Sequence, residues 1–295
     1  MLRAIYRSGL LLALCALLPW RAAHAQQAAD VPYVPTPANV IDTMLELALV
    51  NTGDYLIDLG SGDGRIVIAA AKKYGARGMG IELDGNLVFA ANADAKRQGV
   101  AGKVSFTRGN LFAMDFTRAT VLTLYLLPQI NMQLRPRILN ELKPGTRVVS
   151  HDFDMGEWKP DARREVAVPD KSYGAPVSQV YFWYVPAHVA GKWRWQLMVA
   201  GKPRVYEASI NQLFQEVDGE VLVDGSSASV QNFKLRGDLI AFTLTRELSG
   251  QKLTHGFSGR VEGDKVTGRV ELSGGENATL DWQAARVERG KMRIE

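Results

Sequence analysis

Between residues 36 and about 185, short apolar runs alternate with amphipathic stretches. From residue 192 onward every second position tends to be apolar instead. The first rhythm predicts strands alternating with helices, hence a Rossmann-like, doubly wound and mostly parallel α/β sheet. The second predicts a smaller antiparallel all-β domain, with the boundary between residues 188 and 189. In the first zone, Thr36 is placed to cap a helix with Pro37 at its first position. Val40, Ile41, Met44, Leu45, Leu47 and Ala48 form the apolar side of that helix. Strands are predicted over 55–59, 78–83, 104–108, 120–126 and 146–153, with a late one over 179–185. Helices are predicted over 65–74, 86–97 and 129–142, the last kinked at Pro136.

In the second zone, Gly219-Glu220, Gly237-Asp238 and Gly263-Asp264 read as hairpin turns between alternating segments. The strands they join run over 220–224, 229–235, 239–247, 254–262, 265–272 and 278–286. The pattern suits a curved sheet and a small barrel alike, and Trp193, Trp195 and Trp282 are expected to fill its core.

The first 25 residues change the bulk picture. Arg3 and Arg7 precede the apolar run from Leu10 to Leu18, and Ala23-His24-Ala25 closes it, the layout of a secretory leader cleaved after Ala25. The apolar run is too short for a permanent membrane span. Without the leader the chain loses Cys15, its single cysteine, together with Arg3, Arg7 and Arg21, so the formal charge falls from +4 to +1. No clustered basic stripe remains to suggest a nucleic-acid partner, and an exported, periplasmic location is expected. With no cysteine or clustered histidine, no metal site is expected.

The chemistry concentrates in Asp58-Leu59-Gly60-Ser61-Gly62-Asp63-Gly64, directly after an apolar strand and directly before a helix. A backbone turning sharply beside a ligand needs glycine, and the helix start offers N–H groups to an anion. A dinucleotide fingerprint wants G-x-G-x-x-G, whereas here the glycines fall at 60, 62 and 64 and Arg65 follows. Asp58, two residues before the first glycine, suits a ligand bearing an ammonium better than one bearing a pyrophosphate. S-adenosylmethionine carries an ammonium and a carboxylate and no phosphate. Glu82, closing the second strand, can accept hydrogen bonds from ribose hydroxyls. After the third strand, Gly109-Asn110-Leu111-Phe112 offers an amide for an adenine edge and apolar groups to flank it.

The run from Pro32 to Pro37, the stretch from Asp58 to Arg65, and Glu82 resemble the lysine methyltransferases of ATP-synthase c-subunits and adenine-nucleotide carriers. More distantly, the chain is similar to the non-SET histone lysine methyltransferases, which share the class I S-adenosylmethionine fold. The resemblance covers roughly residues 31–160. It implies that Asp58, Gly60, Gly62, Asp63, Glu82 and Asn110 line the cofactor, and that Tyr33 and Thr36 approach its methionine end; Ser61 and Gly64 in the bend and Leu111 after the third strand are further cofactor-binding candidates. Two positions depart from the pattern. Asn110 stands where class I enzymes usually have aspartate, and Tyr125-Leu126-Leu127-Pro128 replaces the motif of amino-group methylases acting on nucleic acid.

Methyl transfer asks the protein to align acceptor and donor and to exclude water. In an open α/β sheet the reacting groups lie beyond the carboxyl ends of the strands. That directs attention to Tyr125, as a candidate catalytic residue or wall of the acceptor pocket, and to His151 and Asp152. The expected activity is S-adenosylmethionine-dependent methylation of a protein lysine or a small molecule. Two other readings are a non-catalytic exported binding protein that reuses the Rossmann domain, and a nicotinamide-dependent oxidoreductase.

Overall fold

Helix α1 (Ala38–Leu47) buries Val40, Ile41, Met44 and Leu45 on one side, each worth about 1.5–3 kcal/mol of transfer free energy. The computed structural model describes residues 33–248, 251–275 and 277–294. The leader read over residues 1–25, and the residues after it up to 32, lie outside the described residues. After α1 the chain alternates as the apolar rhythm requires: β1 (Tyr55–Leu59), α2 (Arg65–Tyr74), β2 (Arg77–Glu82), α3 (Gly85–Arg97), β3 (Val104–Arg108) and β4 (Val121–Leu124). It continues through α4 (Pro128–Glu141), β5 (Arg147–His151), β6 (Ala162–Ala167) and β7 (Val177–Tyr184).

These strands pair in the order β3-β2-β1-β4-β5-β7-β6. β1 to β5 run parallel, and β7 pairs antiparallel with β5. The chain builds outward from β1 to β3 and then crosses back to β4. The order therefore reverses between β1 and β4, the switch point beyond whose strand carboxyl ends open α/β sheets bind their ligands. Asp58 on β1 stands in register with Gly80 on one side and Thr123 on the other.

Four local expectations are corrected. Thr36 does not cap α1: Pro37 holds the cap position without a side-chain bond, and the Thr36 hydroxyl pairs with His151 instead. The fourth strand stops at Leu124, because the chain must turn over residues 125–127 to start α4. The fifth stops at His151, because Asp152 takes a left-handed φ of 61°. β6 has no apolar alternation to reveal it, since Arg163, Arg164 and Glu165 are exposed along the sheet edge.

The remaining strands are β8 (Gly191–Val199), β9 (Lys202–Leu213), β10 (Glu216–Val223), β11 (Ser226–Arg236), β12 (Leu239–Leu248), β13 (Gln251–Glu262), β14 (Lys265–Ser273) and β15 (Ala278–Arg289). They form an antiparallel meander that β15 closes on β8, so the module is a barrel. β8 and β9 lie outside the six strands expected from the sequence. Gly219 is not in a turn either. It sits inside β10 opposite Ile210, where a Cβ would strike the Ser209 carbonyl, and the chain reverses at Phe214 with φ 53°. The turns at Gly237-Asp238 and Gly263-Asp264 stand where the sequence puts them.

An eight-stranded barrel leaves an interior that side chains can fill. Here Trp195 stacks on Tyr206 at 5.2 Å, Phe242 on Phe257 at 4.8 Å, and Trp282 meets Phe257 edge-on at 5.0 Å. The outward positions of β8 are Lys192, Arg194, Gln196 and Met198. Buried Gln212 ties the barrel to the segment that leads into β8. Its amide oxygen accepts from the Val189 and Ala190 N–H groups, and its amide nitrogen donates to the Ala187 and Phe214 carbonyls. Among the described residues no helix is long and apolar enough to cross a membrane.

Candidate active site

The bend after β1 is built from three left-handed glycines, Gly60, Gly62 and Gly64, with φ of 75°, 53° and 80°. The Gly60 and Ser61 N–H groups donate to the Ile81 carbonyl at 2.9 and 3.1 Å, which stitches the bend to the end of β2. A Cβ at Gly62 would lie 2.5 Å from the Tyr33 ring, so the lead-in segment packs directly on the backbone there. Gly64 serves a different purpose. A Cβ on it would meet Phe106 and Ala91 at 2.5 and 2.9 Å, so it is the glycine that lets α2 approach the sheet. Gly64 also offers α2 no side-chain cap, which leaves the positive end of the helix dipole facing the bend. The Ser61 hydroxyl, expected at the ligand, is buried without a partner and turned toward Gly80.

Three carboxylates surround this bend. Asp58 is fully buried and accepts from the Thr123 hydroxyl at 2.7 Å. Burial pushes its pKa up to about 7; the Thr123 bond opposes this, and the charges of Glu82 and Asp63 add to it. Glu82 turns into the bend. One of its oxygens accepts from Gly62 N–H at 2.8 Å, and the other accepts from Leu83 and Asp84 N–H at 2.7 and 3.0 Å. Asp63 faces Arg65, whose guanidinium donates to it at 2.6–3.1 Å. Burial works against the ionised form of Asp63, but the bonds from Arg65 outweigh it and hold the carboxyl below its usual range. The same guanidinium reaches the Thr36 carbonyl at 3.2 Å and the Tyr33 hydroxyl at 3.5 Å, fixing the lead-in over the bend.

Past β3, the Asn110 side-chain oxygen accepts from Phe112 N–H at 2.9 Å and shapes the loop. With that oxygen engaged, the amide nitrogen is the group left to face outward. Arg137 on α4 holds this loop from below, donating to the carbonyls of Leu111, Phe112 and Met114 at 3.3, 2.8 and 3.2 Å. Sequence reasoning missed Arg137, which sits in a helix whose polar residues are partly buried.

At the ends of β4 and β5 a second group assembles. The Tyr125 ring stacks on His151 at 3.8 Å, and its hydroxyl meets the Asp152 carboxylate at 3.4 Å and the Tyr173 hydroxyl. Asp152 pairs with Lys171 at 2.7 Å, both largely buried, and it also accepts from Gln179 N–H at 3.0 Å. Lys171 and Tyr173 come from the loop between β6 and β7, which the sequence gives no periodic signal to place. His151 is fully buried, with Ser178 at 2.8 Å on one ring nitrogen and Thr36 at 3.3 Å on the other. Burial drives its pKa down, against the pull of Asp152. A neutral, fully engaged imidazole is a wall here. Burial, with Tyr173 and Asp152 acting the same way, raises the Tyr125 hydroxyl above the usual phenol range. That phenol stays protonated at neutral pH and is no base. Thr36 is thus drawn to the β5 end of the crevice, while Tyr33, Asp58, Gly60, Gly62 and Glu82 gather at the bend.

The donor set fits S-adenosylmethionine. Asp58 and Glu82 at one bend disfavour a pyrophosphate, whereas an ammonium would offset the burial that raises Asp58 and the neighbouring charges that add to it. The left-handed glycines let the chain turn while Leu126, Tyr33 and Phe106 pack where their Cβ atoms would lie, and Glu82 turns into the same bend.

The model of the ANTKMT methyltransferase domain family matches residues 58–162. A protein-lysine N-methyltransferase of Saccharolobus islandicus (strain REY15A) is 47% identical over 131 residues, which are 44% of this chain and 81% of that protein. The human lysine N-methyltransferase of the ATP-synthase c-subunit is 36% identical over 131 residues, 44% of this chain and 55% of its own length. Among solved structures, an RNA methyltransferase from Salinibacter ruber in complex with S-adenosyl-L-homocysteine is 54% identical. The match covers 53% of this chain and 96% of that one, with a TM-score of 0.48. The family model ends at residue 162, before the barrel begins.

Proposed function

The chain belongs to the ANTKMT methyltransferase family and is an S-adenosylmethionine-dependent methyltransferase, and we propose that its acceptor is the side-chain amine of a protein lysine. Neither the binding-protein reading nor the nicotinamide reading finds support among its relatives.

When bound, S-adenosylmethionine supplies the electrophilic methyl carbon. The chain supplies placement. Asp58 and the bend from Gly60 to Gly64 would hold the amino-acid end, Glu82 the ribose, and Asn110 with Leu111 the adenine. The observation that carries the lysine reading is the group at the ends of β4 and β5. The Tyr125 and Tyr173 hydroxyls stand together beside the Asp152 carboxylate. Burial works against the ionised form of Asp152, but the Lys171 bond and the Gln179 N–H overcome it and keep the carboxyl below its usual range. The arrangement therefore presents a carboxylate and two hydroxyls, groups that can accept hydrogen bonds from an amine and orient its lone pair. The names of the archaeal and human relatives support the same acceptor class.

The test is transfer of labelled methyl from S-adenosylmethionine to a lysate of the source cells, followed by hydrolysis of the labelled product. Label in methyl-lysine is expected, and label confined to RNA or to small molecules would overturn the lysine reading. We also propose export with cleavage after Ala25. Fractionation and N-terminal sequencing should find a chain starting at Gln26 outside the cytoplasm, and an intact leader on a cytoplasmic protein would contradict that.

A further inference from the structure

At the amino ends of the parallel strands, a cleft of about 430 Å³ opens where the starts of β4 and β5 face the β11–β12 turn of the barrel. It lies a strand length from the carboxyl-end crevice, about 16 Å for a five-residue strand. Its volume falls in the range of small-molecule sites. Five cations line it, Arg118, Lys143, Arg147, Arg236 and Arg260, and Asp238 is the one acid among its described lining residues.

Two of these cations are already matched, since Arg147 pairs with Asp54 and Arg260 with Asp238. The other three have no carboxylate within ion-pair distance among the described residues. Asp161, the acid that senses Arg236, gives its carboxylate to Tyr184 N–H at 2.8 Å. Arg118 lies over the Tyr55 ring at 3.7 Å and Arg236 over the Tyr184 ring at 4.6 Å. Stacking fixes a guanidinium by its face and leaves its in-plane N–H donors at the edge free, the geometry that grips an oxyanion two bonds at a time. The floor is tight backbone, with a Cβ on Gly237 only 3.0 Å from Gly145 Cα, so side chains do not fill it.

Two pre-set guanidinium forks and a lysine around one small cleft call for several negative charges in a small volume. We propose that the cleft binds a small molecule carrying two or more phosphoryl groups. The site is separate from the methyl-transfer crevice and does not depend on the acceptor assigned there.

The test is titration of the full chain with tripolyphosphate and with ADP, at low salt and with S-adenosylhomocysteine saturating the crevice. Tripolyphosphate is expected to bind, and the Arg118→Gln/Arg236→Gln double variant to weaken it by roughly tenfold or more. Lys143→Gln, at an exposed position, should weaken it with little effect on folding, and Arg194→Gln, exposed on β8 and four strands round the barrel from β12, should change nothing. S-adenosylhomocysteine affinity, measured alongside, reports that each variant is folded. Tighter binding of ADP would name a nucleotide as the source, and equal or weaker binding a bare polyphosphate. No binding at millimolar tripolyphosphate, or binding that the cleft variants leave unchanged, would overturn the proposal.

Discussion

Glu82 accepts a hydrogen bond from the Gly62 N–H at 2.8 Å, so the acid that closes β2 reaches across the bend that closes β1. Its other oxygen is already taken by Leu83 and Asp84 N–H. Of the roughly four lone-pair sites on a carboxylate, about one remains. Holding both ribose hydroxyls therefore requires Glu82 to give up Gly62. Glu82→Gln keeps the shape but loses the charge and one acceptor. It should weaken S-adenosylmethionine binding by about ten- to a hundredfold, in line with bonds to charged groups worth about 1.5–3 kcal/mol. Calorimetric titration checks this, and unchanged affinity would remove Glu82 from the cofactor site.

Asp58 sets a pH dependence. Its pKa rises from 3.8 to about 7 on folding, so the folded protein holds that proton more tightly than the unfolded chain. The stability this adds is complete below about pH 4 and lost as pH rises through about 7, a span of about 4 kcal/mol. Denaturant titrations of the ligand-free protein should show stability falling between about pH 4 and 7, and Asp58→Asn should flatten that slope. Cofactor binding should release a proton near neutral pH, visible as a buffer-dependent heat.

Tyr125→Phe and Tyr173→Phe remove hydroxyls at the acceptor end and leave the bend intact. Each should lower kcat by about tenfold or more through lost positioning, with S-adenosylmethionine affinity unchanged. Steady-state kinetics beside cofactor titration separates the two effects. Loss of cofactor affinity in either variant would move the tyrosine out of the acceptor pocket.

Asp152 and Lys171 form a largely buried pair. Removing one partner strands the other charge, at about 3–5 kcal/mol. Asp152→Asn should therefore destabilise the protein strongly, and adding Lys171→Met should restore much of the loss in chemical denaturation. Additive losses would show that the two side chains stabilise the fold independently.

Much of the α/β half was legible because its signals are local. The central strands β1 and β4 are short, mostly apolar runs, and α2 falls where the glycines stop and amphipathic spacing begins. Asp58, Gly62 and Glu82 could be read as one group because register on adjacent parallel strands follows from chain order. Lys171 and Tyr173 could not, since a loop between two late antiparallel strands carries no periodicity to say which site it will cover. Gly219 misled because a glycine before an acid marks a turn in most contexts, whereas here close strand approach requires it. β8 and β9 escaped because a Gly201 turn between a residue as apolar as Val199 and one as polar as Lys202 lacks the Gly-Asp form seen elsewhere in the barrel.

The most direct measurement is calorimetric titration of the purified chain with S-adenosylmethionine, S-adenosylhomocysteine and NAD in turn. One-to-one binding of the first two, with no heat from NAD, is the expected result. Absence of S-adenosylmethionine binding at millimolar concentration, or preferential binding of NAD, would contradict the assignment of the crevice.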